Sequence, residues 1–348
     1  MSFDWKAFLT KQGAHFDGDA LTGFSTQPAS LSSNAVSILS GHRLIRISGP
    51  DRQKFLQGQI STHMLQLQPM QYSTGVACTP KGRMYSSFHI IDDGDNYLLM
   101  LKSDIAESTV ETLKKYAVFF KVELTNASEF ISLGFSGDDI QSILPEIFAG
   151  IDLPRKNDVI AINGDGFLHA IAGINQRYGL WLKSEALEKV WSSLIKKLTP
   201  AGEDFWSLLN IQSVMPEVSS HLIEEYIPQH LNLPSLGSVS FKKGCFTGQE
   251  IVTRMQNLGQ QKSRCYRLTL PGSEQPAVNT KLFDGNGKPA GEIIQAVTNP
   301  FEKTIEMLAV VRIEAAEANQ VFMTADQAKP LQVHEIPYTI DPKKELQQ

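Results

Sequence analysis

The chain has 348 residues, room for two or three domains at roughly 150 residues each. Its 42% apolar and 20% charged content is that of a folded globular protein rather than a disordered or fibrous one. Thirty-two Lys and Arg against 37 Asp and Glu leave a net charge of -5, which excludes a general nucleic-acid coat or a polybasic membrane binder but allows a local basic patch. No apolar run reaches the roughly 18 residues a membrane span needs. The N-terminus, with Asp4, Asp17 and Asp19, lacks a signal or transit pattern, so a cytoplasmic protein is expected. Cys78, Cys245 and Cys265 include no C-x-x-C pair and cannot form a disulfide framework or a four-cysteine metal site within one chain, so no metal site is expected.

In chain order, residues 1–40 are rich in Gly, Ser and Thr and read as a loosely structured lead-in with one short helix near Asp4 to Gln12. Arg43 to Ile47 alternates as a strand, and Ser48-Gly49-Pro50 introduces a helix carrying Phe55, Leu56 and Ile60. Tyr72 to Cys78 and Met84 to Ile91 have strand periodicity on either side of Pro80-Lys81-Gly82-Arg83, the composition of a tight turn. A helix is predicted from Ser103 through Lys115, and another after Ser184, stopped by Pro200. Strands and helices mix over residues 41–261 without a regular β-α-β period, which predicts an α+β region, divisible into two subdomains. Residues 262–348 read as a small all-β domain: Tyr266, Leu268 and Leu270 alternate, Asp284-Gly285-Asn286-Gly287 marks a hairpin, and Met307 to Val311 is a further strand.

The segment Lys242-Lys243-Gly244-Cys245-Phe246-Thr247-Gly248-Gln249-Glu250 is the most informative. Thr247 and Glu250 have the capping-box spacing, so a helix should start just after the glycine-rich turn with Cys245 ahead of its positive end. A helix N-terminus and adjacent cations favour thiolate, the setting of a reactive cysteine; the same spacing also suits a small residue packed between two glycines. Lys81 and Arg83 could pair with a carboxylate or phosphate, or simply keep a hairpin tip soluble. Trp206 could stack on a flat heterocycle or fill the core. H-E-x-x-H, P-loop and dinucleotide-binding patterns are absent.

The string from Lys243 to Met255, KGCFTGQEIVTRM, resembles the signature of the YgfZ-type folate-binding proteins, relatives of the glycine-cleavage T-protein (aminomethyltransferase). Further blocks agree in order: Gly49-Pro50-Asp51-Arg52 with Phe55 to Thr62; Cys78 with Lys81-Gly82-Arg83-Met84; Leu113 to Phe119; Trp206 to Pro216; and Ile227-Pro228-Gln229 with Asn232-Leu233. The resemblance implies an aminomethyltransferase-like α+β region and a C-terminal β-barrel arranged as a ring. It also implies a tetrahydrofolate site, polyglutamylated or not, and a role in synthesis or repair of iron-sulfur proteins, including a radical enzyme that thiomethylates tRNA. It makes Cys245 the functional thiol, sets Trp206 against the folate, and has Gln249, Glu250 and Arg254 organise or line the wall. Lys81, Arg83 and Lys243 are added here as partners for the anionic glutamate tail, on charge pairing alone.

Three departures stand out. The aspartate pair of the aminomethyltransferases reads Ser86-Ser87 here, and a hydroxyl cannot replace an ionised carboxylate beside a developing cation, so their reaction is not expected. Their L-R-x-E stretch reads Leu209-Asn210-Ile211-Gln212, leaving Gln212 to meet the pterin edge as a neutral amide. His42 stands where some relatives have Trp. The reading is a folate-dependent accessory factor for iron-sulfur proteins that acts on protein partners, with no direct nucleic-acid or membrane binding. A tetrahydrofolate-dependent aminomethyl or methyl transferase and a non-catalytic protein-binding scaffold are the alternatives.

Overall fold

The computed structural model describes residues 3–347. The chain divides into two compact units that interleave along the sequence: one runs up to Phe55 and adds Leu65–Ser73 and Phe88–Ser207, and the other takes Leu56–Met64, Thr74–Ser87 and the rest from Leu208.

The first unit is built on a six-stranded sheet ordered Val159–Ile162, Gly166–Ile171, Arg177–Lys183, Phe130–Ser136, Ala35–Ile38 and Thr199–Ala201. All its pairings are antiparallel except the last, where Thr199, Pro200 and Ala201 run parallel to Ala35, Val36 and Ser37. Helices Trp5–Lys11, Ile140–Ile147 and Leu187–Leu194 bury Leu9, Ile140, Leu144, Leu187, Trp191 and Leu194 in one cluster with Leu133, Phe135 and Leu180 of the sheet. Residues 3–40, expected as a loose lead-in with one short helix, thus carry a helix and three strands. Ala14–Asp17 and Ala20–Phe24 pair as a hairpin, and all four residues of Ala35–Ile38 are buried. Pro200 lies in a strand, the preceding helix having ended at Leu194.

A second sheet follows the order Gln71–Cys78, Met84–Asp92, Tyr97–Lys102, His42–Ser48, Glu123–Asn126, and the division between the units falls within its first two strands. The predicted helix after it runs Ser103–Ala117 and buries Ile105, Ala106, Thr109 and Leu113 at helical spacing.

In the second unit, an irregular stretch with short turns Ser220–Leu222 and Pro228–Leu231 leads to the Gln249–Leu258 helix and then to a five-stranded sheet. That sheet is ordered Lys281–Phe283, Pro289–Asn299, Thr304–Arg312, Ser263–Pro271, Gln332–Val333. It packs Leu268, Leu282, Ile293, Met307 and Val311 into its own core. Its edges are linked only through single bridges, Phe283 to Phe322 and Phe322 to Pro330, so the expected β-barrel takes the form of a curled half-barrel. No helix among the described residues is long and apolar enough to cross a membrane.

Candidate functional site

Within the second unit, the predicted turn between Cys78 and Met84 forms as expected, with Gly82 N–H donating to the Thr79 carbonyl at 2.8 Å and Thr79 N–H to that of Arg83 at 2.8 Å. Gly82 sits at φ +71° and is buried; a Cβ there would stand 2.9 Å from the Ile251 Cβ. Gly248 answers it at φ +84°, where a Cβ would lie 2.5 Å from the Thr79 carbonyl oxygen and 2.9 Å from the Cys78 Cβ. Only glycine adopts this backbone without strain and leaves this clearance. The two glycines thus let the turn and the start of the Gln249–Leu258 helix meet.

That helix begins where the motif predicts, but for a different reason. Its N-cap is Gly248, with no side-chain capping bond, so Thr247 does not form the expected capping box. Instead the Thr247 N–H donates to the Gly58 carbonyl at 3.1 Å. Gln229, buried, donates to the Val252 carbonyl at 2.8 Å and to Gln256 at 3.2 Å, fixing the helix from its side.

Cys245 is exposed, whereas Cys78 and Cys265 are buried. Burial pushes the Cys78 thiol up to about 12 and raises that of Cys265 as well, which removes both as nucleophiles near neutrality. The two lysines beside Cys245 part company. Lys242 is exposed, while Lys243 is only 5% exposed and its Nζ donates to the Ile60 and Thr62 carbonyls, the latter at 2.7 Å. The ammonium also stands 5.1 Å from the centroid of the buried Phe246 ring. Burial pushes the Lys243 pKa down to about 7. With two carbonyls already served, the ammonium has one N–H left for any anion.

Lys81 and Arg83 are both exposed, and the Arg83 guanidinium donates to the Glu225 carbonyl. Glu250 and Arg254 are exposed one turn apart on the Gln249–Leu258 helix, and the Gln249 amide reaches back to the Lys243 carbonyl at 3.5 Å. Gln212, half-buried, ends the Glu203–Gln212 helix. Trp206 lies in the first unit at 4% exposure, against Gly134 and with the buried Arg177 guanidinium 4.9 Å from its ring. Of the two serines at the aspartate positions, Ser87 accepts the Val218 N–H at 2.8 Å, and the Ser86 hydroxyl is buried without a partner among the described residues. His42 is 3.7 Å from Glu203, a carboxylate that burial would raise but that the Lys102 and His42 charges and a bond from Gly41 hold below its usual range.

Sequence reasoning missed Ser61. This fully buried hydroxyl donates to the Ser238 carbonyl and accepts the Val76 N–H at 2.9 Å, while its backbone pairs with Val76 and Ser240. It therefore joins three segments around the motif loop, and no local pattern announces so distant a pairing. Gly58, which entered the sequence reading only as part of the Phe55 to Thr62 block and without a role, lies in the Arg52–Gln59 helix with nothing within 4 Å of a Cβ built on it, and the exposed Gly244 is equally open. Packing explains neither glycine. The Thr79 and Ser86 hydroxyls and the Gln229 and Asn232 side-chain oxygens are buried without a partner among the described residues, which leaves hydrogen-bonding capacity unused. No group of three or more His, Cys, Asp or Glu among the described residues is placed to hold a metal ion.

The fold is that of a glycine-cleavage aminomethyltransferase. The crystal structure of aminomethyltransferase T from Bartonella henselae superposes with a TM-score of 0.80 over 97% of this chain and 98% of that one, at 14% identity. In sequence the chain is a homologue of proteins named tRNA-modifying protein YgfZ. It is 29% identical to that of Escherichia coli O7:K1 over 301 residues, 86% of this chain and 91% of the relative. It is 27% identical to that of Yersinia enterocolitica over 329 residues, 93% and 99%. No protein-family model matches. The resemblance read from the cysteine motif thus extends over most of the chain.

Proposed function

We propose that the protein binds tetrahydrofolate and serves tRNA modification as an accessory factor for iron-sulfur enzymes, with Cys245 as its working thiol. The carrying observation is that Cys245 is the exposed cysteine of the chain and stands at the centre of a loop tied down on both sides, so its exposure is built into the fold. The names of the relatives support a role in tRNA modification, and the aminomethyltransferase fold supports a folate. Bound tetrahydrofolate would supply a one-carbon carrier. Trp206 and Gln212 would contact its ring system, Gln249, Glu250 and Arg254 would order the surroundings, and the exposed cations Lys81 and Arg83 suit its glutamate tail. Ser86 and Ser87 speak against aminomethyl transfer, since neither can carry the negative charge that reaction uses.

Cells lacking the protein, supplied with wild type or Cys245→Ser, provide the test. Thiomethylated tRNA nucleosides are quantified by mass spectrometry, and thermal melting of the purified variant checks the fold. The variant is expected to melt with wild type and to lose at least tenfold in nucleoside yield; full activity would sink the thiol assignment. Anaerobic calorimetric titration with tetrahydrofolate should show saturable binding weakened in Trp206→Ala, and an absence of heat with folded protein would remove folate from the proposal.

A further inference from the structure

The role proposed for Cys245 requires its sulfur to be held in place, and the part assigned to Lys243 rests on that role. Lys243 lies two residues before Cys245 and Thr247 two after it, and both are tied to one stretch of chain. Lys243 Nζ donates to the Ile60 and Thr62 carbonyls, and Thr247 N–H donates to the Gly58 carbonyl. Gly58 lies in the last turn of the Arg52–Gln59 helix, where carbonyls lack intrahelical donors, and Ile60 and Thr62 follow directly after it, the Thr62 carbonyl also accepting the Met64 N–H at 3.0 Å. Phe246, between the two ties in sequence, is buried with the Lys243 ammonium 5.1 Å from its ring centroid.

A lysine is a costly choice here. At 5% exposure it has no carboxylate partner among the described residues, and its depressed pKa records the penalty. Methionine would fill a similar volume without that cost. What methionine cannot do is donate to two carbonyls.

We propose that Lys243 is a positioning residue for Cys245: by binding the Ile60 and Thr62 carbonyls it holds residues 243–247 as a strap across the end of the Arg52–Gln59 helix, with the thiol turned outward.

The test compares wild type, Lys243→Met and Lys243→Arg at one pH. Iodoacetamide labelling of Cys245 is read by peptide mass spectrometry with buried Cys78 and Cys265 as internal controls. Amide exchange is followed at Thr247, and thermal melting monitors the fold. Lys243→Met is expected to fold, to speed Thr247 exchange at least tenfold, to change the Cys245 labelling rate at least fivefold and to lower tRNA thiomethylation in cells at least fivefold. Lys243→Arg, which keeps the donors, should recover a substantial part of each. Unchanged exchange and labelling in Lys243→Met, or identical behaviour of Met and Arg, would overturn the strap. Should Lys243→Met not fold, wild-type exchange decides: a Thr247 amide exchanging as fast as one in an exposed loop overturns the proposal. Labelling and exchange do not depend on function, so an active Cys245→Ser variant would end the thiol reading and leave the strap to be judged separately.

Discussion

Gly58 accepts the Thr247 N–H and Gly248 follows that threonine, yet the two are glycines for opposite reasons. At Gly248 the left-handed backbone and the close Thr79 carbonyl both exclude a side chain, so Gly248→Ala should cost at least about 2 kcal/mol in urea unfolding. At Gly58 nothing stands in the way, and Gly58→Ala should gain about 0.5–1 kcal/mol from helix propensity. If its clearance serves a ligand, that stabler variant will bind tetrahydrofolate more weakly than wild type. Lys243 adds a pH dependence. Its pKa is about 7 in the fold against an ordinary 10.5, so between those values the unfolded chain holds the extra proton and stability rises with pH. Relative to Lys243→Met, wild type should gain stability from about pH 7 to 10.5 and show no such trend below 7; a flat difference would mean the amine is charged throughout. The place of the helix after Cys245 was legible in the motif, whereas the exposure of Cys245 was not, since the same spacing suits a small residue packed between two glycines. The capping box was not, because the T-x-x-E spacing says nothing about a distant turn that leaves room only for glycine at position 248.

Among elements, the best-read ones were those with a solvent face or a marked turn beside them. The Ser103–Ala117 helix lies within two residues of expectation, since one-sided burial writes a period into the sequence, and the more fully buried Gln71–Cys78 and Met84–Asp92 strands are as close because the Pro80 to Arg83 turn marks where one ends and the other begins. Ala35–Ile38 is covered on both faces, so Ala-Val-Ser-Ile shows no alternation and its Ser- and Gly-rich surroundings suggested a loose segment. Ser61 holds elements together that no period could connect. Ser61→Ala leaves the Val76 N–H and one Ser238 carbonyl bond unmade, and a loss of about 1–3 kcal/mol is expected in urea unfolding. In the C-terminal sheet, Glu306 is fully buried and held bidentately by Arg267 at 2.7 Å for both bonds. Removing the cation with Arg267→Met strands that carboxylate and should cost about 3–5 kcal/mol, while replacement of both residues by apolar ones should cost much less.

At the scale of the whole molecule, the net charge of -5 bears on how the protein would serve tRNA modification. With a net negative charge, affinity for tRNA itself should be weak and vanish by about 150 mM salt in fluorescence anisotropy, as expected of a factor that acts through a protein partner. Tight binding that survives this salt would require a local basic patch that the overall charge conceals. The α+β class and the C-terminal sheet were readable from composition shifts, but the interleaving of the two units was not, since sequence patterns report local order and the units exchange chain five times. That interleaving has a consequence for biosynthesis. The Lys243 partner of Ile60 is 183 residues downstream, and at about 5–20 residues per second the ribosome takes roughly 10–40 s to deliver it. For that interval Leu56–Met64 is finished but has no Lys243 or Ser238 to bind. The nascent chain therefore carries an unfulfilled segment through about half of its translation, which makes it a natural customer for ribosome-associated chaperones and makes slow codons before position 238 costly to yield.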